Sequence, residues 1–214
     1  MVQSSRRWME SSDVIPMFPT FAWKLQIEAD LRDALRESIL AALADMRAGQ
    51  PPLSPGMGWQ STNELHRRDD FRDLVACIDG AVATILRFLR IGDLPHELTG
   101  CWANVLARGA AHKVHSHPNN FLSGVYYVRT GPGADTINFH DPRPQAAVVR
   151  PPVTELTAEN TDQVVIRVRD GTLLMFPSYL QHSVDATTSN QERVSVSFNV
   201  MFSSFAERVS KPLW

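Results

Sequence analysis

Residues 193–200 read Arg-Val-Ser-Val-Ser-Phe-Asn-Val, a strict alternation. A period of two puts Arg193, Ser195, Ser197 and Asn199 on one face of a strand and Val194, Val196, Phe198 and Val200 on the other. On a sheet with one wet face, the polar side meets water. On a barrel strand backed by helices, the polar side lines an interior, where an arginine is costly unless it is paired. A carboxylate ligand is the natural partner, gripped by the guanidinium fork with the Ser195 hydroxyl beside it. His182 lies eleven residues before Arg193, a hairpin's distance. The spacing therefore favours the barrel version, with the two strands as neighbours and the arginine deeper inside.

The chain upstream supplies both helices and further strands. Residues 28–48 carry Leu31, Leu35, Ile39, Ala42, Leu43 and Met46 on one helical face, ended by Gly49 and Pro51-Pro52. Residues 69–91 repeat the pattern with Phe71, Leu74, Val75, Ile78, Val82, Ile85, Leu86 and Leu89, and Gly92 is the expected stop. Both stripes read as core packing. Past residue 97 the runs become short and β-branched or aromatic: TGCWANVLA, LSGVYYVR, DTINFH, AAVVR, QVVIRV, GTLLMF and ERVSVSFNVMF. Such spacing predicts a sandwich or barrel. The expected layout is a single domain over 1–214: an α-rich part at 15–97, a β-barrel at 98–202 and a tail at 203–214. The helices alone would leave their apolar faces uncovered, which is why one domain fits better than two.

Composition removes several classes. Lys+Arg is 21 against Asp+Glu 23, a net charge of −2, and Arg67-Arg68 runs straight into Asp69-Asp70. A nucleic-acid binder would show a basic bias, so none is expected as a partner. No apolar run is long enough to span a bilayer, so no membrane is expected either. The first residues have two arginines but no apolar stretch behind them, so no secretory leader is expected and the location is read as cytoplasmic. Cys77 and Cys101 do not form a C-x-x-C pair and read as reduced thiols.

Four of the seven histidines fall between His112 and His140. His115-Ser116-His117 is the informative pair, because side chains at i and i+2 of a strand share a face and can take adjacent positions on a metal. His182, beginning a new run after Gly171–Pro177, is the third candidate ligand. His112 reads as part of the turn before the site. His140 adjoins the Asp141-Pro142 turn, and neither is assigned a role.

His-x-His, a distant His and then Arg-x-Ser resembles the iron- and 2-oxoglutarate-dependent oxygenase superfamily. The likeness is greatest to a bacterial and phage branch of it. It is carried by Gly58-Trp59-Gln60-Ser61, Trp102-Ala103-Asn104, His115 to Asn120, Ser123-Gly124-Val125-Tyr126-Tyr127, Asp141-Pro142-Arg143, Gly171 to Pro177 with His182, and Arg193 to Asn199. The resemblance implies a mainly β fold, a double-stranded β-helix (a jelly-roll or cupin-like barrel) with the N-terminal helices packed on one side. It implies Fe(II), 2-oxoglutarate and O2 as cofactors, with His115, His117 and His182 at the metal and Arg193 and Ser195 on the distal carboxylate. Asn104 and Tyr127 would border the cosubstrate. The expected reaction is oxidation, by default hydroxylation, of an unactivated C–H bond in a small molecule such as an amino acid, yielding succinate and CO2. Trp59, Gln60, Asn119, Asn120, Arg143 and Tyr179 are candidates for the cavity mouth, and the reading leaves room for a homodimer.

One departure stands out. The common facial triad is two histidines and a carboxylate, and here His117 holds the carboxylate position. Asp141 is an alternative ligand, with His117 then outside the coordination sphere. The same segments also echo the cupin motifs, without the cupin glutamate after His-x-His. A three-histidine cupin enzyme that uses no 2-oxoglutarate is the alternative, with Arg193 then binding substrate or serving structure.

Overall fold

The computed structural model describes residues 9–143, 145 and 148–206. Two helices form where the apolar stripes lie. Helix α1 (Ala29–Met46) buries Leu35, Ile39, Ala42 and Leu43, and ends before Gly49, whose φ of 77° suits only a residue without a side chain. Helix α2 (Arg72–Phe88) follows a short 3-10 turn, Asp69–Phe71, and buries Leu74, Ile78, Ala81, Val82, Ile85 and Leu86. It stops earlier than Gly92, because Arg90 turns into the left-handed region at φ 57°.

Among the described residues, ten strands form two antiparallel sheets. They are β1 (Trp23–Gln26), β2 (Gly58–Gln60), β3 (His96–Leu106), β4 (His112–His115), β5 (Leu122–Arg129), β6 (Thr136–His140), β7 (Gln163–Arg167), β8 (Thr172–Pro177), β9 (His182–Val184) and β10 (Arg193–Phe202). The larger sheet runs β1-β8-β5-β10-β3-β2 and the smaller β4-β9-β6-β7. The expected runs map onto strands with two differences. Residues 148–150 of AAVVR are not in a strand, while residues 146 and 147 lie outside the described residues. The hairpin expected between His182 and Arg193 is absent. Strand β9 belongs to the small sheet and β10 to the large one, so the connection crosses the barrel wall.

The alternation in β10 divides the interior in two. Val194, Val196, Phe198 and Val200 join Cys101, Ala103, Val105, Tyr126, Leu173 and Met175 in a core shared with α1 and α2. Between the sheets lies a second core of Leu106, Val125, Tyr127, Ile137, Phe139, Leu174, Phe176 and Val184. Both cores are built from the same strands, because successive side chains of a strand point to opposite faces. Tyr126 and Tyr127 illustrate this, one in each core and both fully buried.

Gly124, within Ser-Gly-Val-Tyr-Tyr, lies opposite Phe198. A Cβ there would come within 2.3 Å of the Phe198 ring and 3.0 Å of the Leu174 carbonyl oxygen. Gly124→Ala must therefore push the ring out of a packed core. The expected cost is about 1–3 kcal/mol, read as a lower urea midpoint or Tm. An unchanged Tm would show that the ring yields without strain.

Candidate metal centre

His115 ends β4 and His182 opens β9, and the two are register partners across the small sheet. His117 lies just past the end of β4, so the i,i+2 strand geometry does not reach it. A turn presents it instead, fastened by the hydrogen bond from its backbone N–H to the Ser178 carbonyl at 2.9 Å. The three rings nevertheless converge. Their centroids are 4.3 Å (His115–His182), 5.1 Å (His115–His117) and 5.2 Å (His117–His182) apart. One ligand nitrogen from each lies within 4.8 Å of the others, the spacing of donors around a single ion. Among the described residues no other group of three His, Cys, Asp or Glu side chains converges in this way.

The tautomers suit a metal. His115 Nδ1 lies 2.7 Å from the Lys113 carbonyl and His182 Nδ1 lies 3.0 Å from the Leu180 carbonyl. A carbonyl only accepts, so each Nδ1 carries the proton and each Nε2 is left as a free lone pair. Burial, with neighbouring histidines, pushes His117 down to about 4 and His182 to about 3. All-nitrogen donors in a neutral set suit iron, and would also suit zinc, copper or nickel. Asp141, the alternative ligand, is engaged elsewhere. Its two oxygens grip Arg143 Nε at 2.9 Å and Nη2 at 2.7 Å, and it does not join the converging group.

The sign of the pH dependence follows. His112, also pushed down to about 4, and His117 and His182 all stay neutral in the fold well below the ordinary histidine value of 6.5. Below about pH 6.5 the unfolded chain takes up protons that the folded chain refuses, so stability falls as pH falls and is complete above that value. Urea midpoints of the metal-free protein should therefore drop from pH 8 to pH 5, and His182→Gln should flatten the slope. A slope that the variant leaves unchanged would contradict the burial of these rings.

A cavity of about 780 Å³ opens from the three imidazoles between the sheets. Arg193, Ser195, Ser197 and Asn199 line it, as the alternation of β10 predicts. Arg193 is 3% exposed, and no carboxylate forms a salt bridge with it among the described residues. Its Nη1 donates to the Thr136 carbonyl at 2.8 Å, and its guanidinium carbon lies 5.2 Å from the centre of the Tyr127 ring. Burial lowers its proton affinity, yet a guanidinium stays charged in a protein. Tyr127 faces the cavity, and its buried hydroxyl finds no well-formed hydrogen bond among the described residues, only the neighbouring Arg193. Asn104 also lines the cavity, its amide donating to Ser197 Oγ at 3.0 Å. A buried cation and an orphaned hydroxyl across the cavity from three imidazoles form a receptor for an anion that also reaches the metal.

The mouth differs more from expectation. Asn119, Asn120 and Gln60 line the cavity. Trp59 does not: it points to the helical core and lies under Arg47, 5.8 Å from the guanidinium carbon. Gln60 is its neighbour on β2, so alternation sends the two side chains opposite ways. Tyr179 is 60% exposed in the turn after β8 and lies away from the cavity. Arg143 is also turned away, held by Asp141 in its own turn. Sequence reasoning missed His112, which starts β4 rather than preceding it and lines the cavity. It also missed His66 and Glu97 at the rim.

Residues 100–199 match the family model described as "Putative 2OG-Fe(II) oxygenase". Over that span the barrel is similar to the 2OG-Fe(II) oxygenase family. The chain is accordingly an Fe(II)/2-oxoglutarate-dependent dioxygenase by class, and Fe(II) and 2-oxoglutarate are its cofactors. No curated protein matches it by sequence. Solved structures carry the same fold, the double-stranded β-helix. One is a prolyl hydroxylase from Trichoplax adhaerens in complex with a hypoxia inducible factor peptide fragment, at TM-score 0.61 and 11% identity over 89% of this chain and 87% of that one. Another is a prolyl-4-hydroxylase from Pseudomonas putida, at 0.58 and 16% over 86% and 93%. A third is HygX from Streptomyces hygroscopicus with nickel and 2-oxoglutarate bound, at 0.59 and 12% over 86% and 83%. No described helix of the oxygenase is long and apolar enough to cross a membrane.

Proposed function

We propose that this oxygenase, acting as one domain, holds Fe(II) on His115, His117 and His182. It anchors the distal carboxylate of 2-oxoglutarate on Arg193 with Ser195, between Asn104 and Tyr127, and hydroxylates a C–H bond of a small polar molecule. The observation that carries this reading is the pairing of a buried guanidinium lacking a carboxylate with three convergent imidazoles in one cavity. The cupin alternative would need Arg193 to bind substrate or serve structure, whereas a cosubstrate carboxylate supplies the counter-charge that this buried guanidinium lacks among the described residues. Bound Fe(II), with 2-oxoglutarate and O2, supplies the oxidant for an unactivated C–H bond and releases succinate and CO2. The chain itself binds, orients and excludes water.

An amino acid or a derivative is the substrate class the rim suits. Strand β10 pairs Asn199 with Gly100 but Val200 with Leu98, so Thr99 is an extra residue. Around that bulge Glu97 and Leu98 both reach the cavity, and Leu98 also packs on the helical core. Lys113 lines the cavity from the opposite sheet. Neither Glu97 nor Lys113 makes an ion pair among the described residues; with the Glu64–Arg67 pair, which also lines the cavity, they offer both signs of charge to a molecule that carries both.

The test is an anaerobic titration of apo-protein with Fe(II) and then 2-oxoglutarate, followed by visible absorption. A metal-to-ligand charge-transfer band, followed by succinate release in air, is the expected result. Iron binding with no band would hand the site to the cupin reading. No iron binding would end the enzyme reading.

A further inference from the structure

Strand β4 pairs with β9 at two points, His112 with Val184 and His115 with His182. Three steps on β4 therefore span two on β9, the signature of a β-bulge. In a regular strand, residues three apart face opposite sides. The extra residue cancels that half-turn and sends the His112 side chain into the same cavity as His115, with ring centroids 6.3 Å apart. Bulges next to active sites commonly re-aim a side chain in this way.

The register also fixes the depth of His112. On β6, Phe139 lies opposite His182 and Asn138 opposite Ser183. Continued one step, Ile137 stands level with Val184 and hence with His112. Thr136, whose carbonyl holds Arg193, is one residue deeper. The cavity is thus tiered: three imidazoles, then His112 about 7 Å further in along the strand, then the guanidinium. His112 makes no hydrogen bond among the described residues and is not one of the three converging ligands. Half-buried beside His115, in the cavity that Arg193 also lines, it offers a ring N–H.

Building on the function proposed above, we infer that His112 is a second anchor for the distal carboxylate of 2-oxoglutarate, donating a hydrogen bond beside Arg193. A dicarboxylate chelated at the outer tier extends its far end past this ring to reach the arginine. The carboxylate then has a charged fork from the large sheet and a neutral donor from the small one.

The test compares wild type, His112→Ala and His112→Gln by anaerobic calorimetry, with Fe(II) and then with 2-oxoglutarate or 2-oxopentanoate. The second acid keeps the chelating end and lacks the distal carboxylate. In His112→Ala, Fe(II) affinity should hold within about twofold while the Kd for 2-oxoglutarate rises about tenfold or more, the loss of a hydrogen bond to a charged group. His112→Gln, which keeps a donor and folds without a cavity, should recover most of the affinity. The Kd for 2-oxopentanoate should be the same in all three. An unchanged Kd for 2-oxoglutarate in His112→Ala overturns the inference. So does an equal loss for 2-oxopentanoate, or a loss of Fe(II) that would make His112 a ligand. If wild type binds Fe(II) but no 2-oxoglutarate, the oxygenase reading itself fails, and this inference falls with it.

Discussion

His182→Ala is expected to abolish tight Fe(II) binding, and with it the charge-transfer band and all succinate release. His182 is buried, and its Nδ1 is held by the Leu180 carbonyl, so its Nε2 is aimed rather than free to wander. Groups that merely orient a ligand already account for about 10–100-fold in metal affinity. Deleting a ligand outright should therefore cost more than about a hundredfold. The ring also packs on Phe176, 4.7 Å between centroids, so His182→Gln is the better control for packing. Fe(II) calorimetry on both variants separates the effects. Wild-type affinity in either would place the ion somewhere other than these three imidazoles.

Arg193→Met is expected to have the opposite profile: metal retained, cosubstrate lost. A buried charge-paired fork is worth about 3–4 kcal/mol to its partner, so the Kd for 2-oxoglutarate should rise roughly a hundredfold or more. The ligand-free protein should not be weakened. Among the described residues its arginine has the Thr136 carbonyl, the Tyr127 ring and the more distant Asp135 charge to offset desolvation, and methionine fills similar space without a charge. A Tm at or above wild type, together with weak 2-oxoglutarate binding, is the expected pair of results. Unchanged cosubstrate binding would remove Arg193 from the site.

Much of this could be read from residues that obey a period. The helical stripes of α1 and α2 and the alternation of β10 located both cores. His-x-His with His182 named the three imidazoles that converge. What escaped was whatever departs from a period. His112 needed the β4 bulge to reach the cavity, and Glu97 needed the bulge at Thr99. A bulge leaves no mark in composition, because it is set by how two strands pair. Trp59, Arg143 and Tyr179 failed for a related reason. Trp59 sits on a three-residue strand too short to show a period, and the other two lie in turns, where local partners such as Asp141 decide direction. The hairpin expected between His182 and Arg193 failed because sequence distance cannot tell a turn within one sheet from a crossing between two.

That crossing has a mechanical consequence. The imidazoles His115 and His182 ride on one sheet and the guanidinium on the other. A cosubstrate bound at both ends, as proposed above, would be a cross-brace whose length sets how far apart the two walls of the barrel stand. Loading should stiffen the whole sandwich rather than one loop, and amides on both sheets should exchange with solvent more slowly together. On the same proposal the brace would shorten when 2-oxoglutarate becomes succinate, and the two sheets would be less firmly tied after turnover than before it.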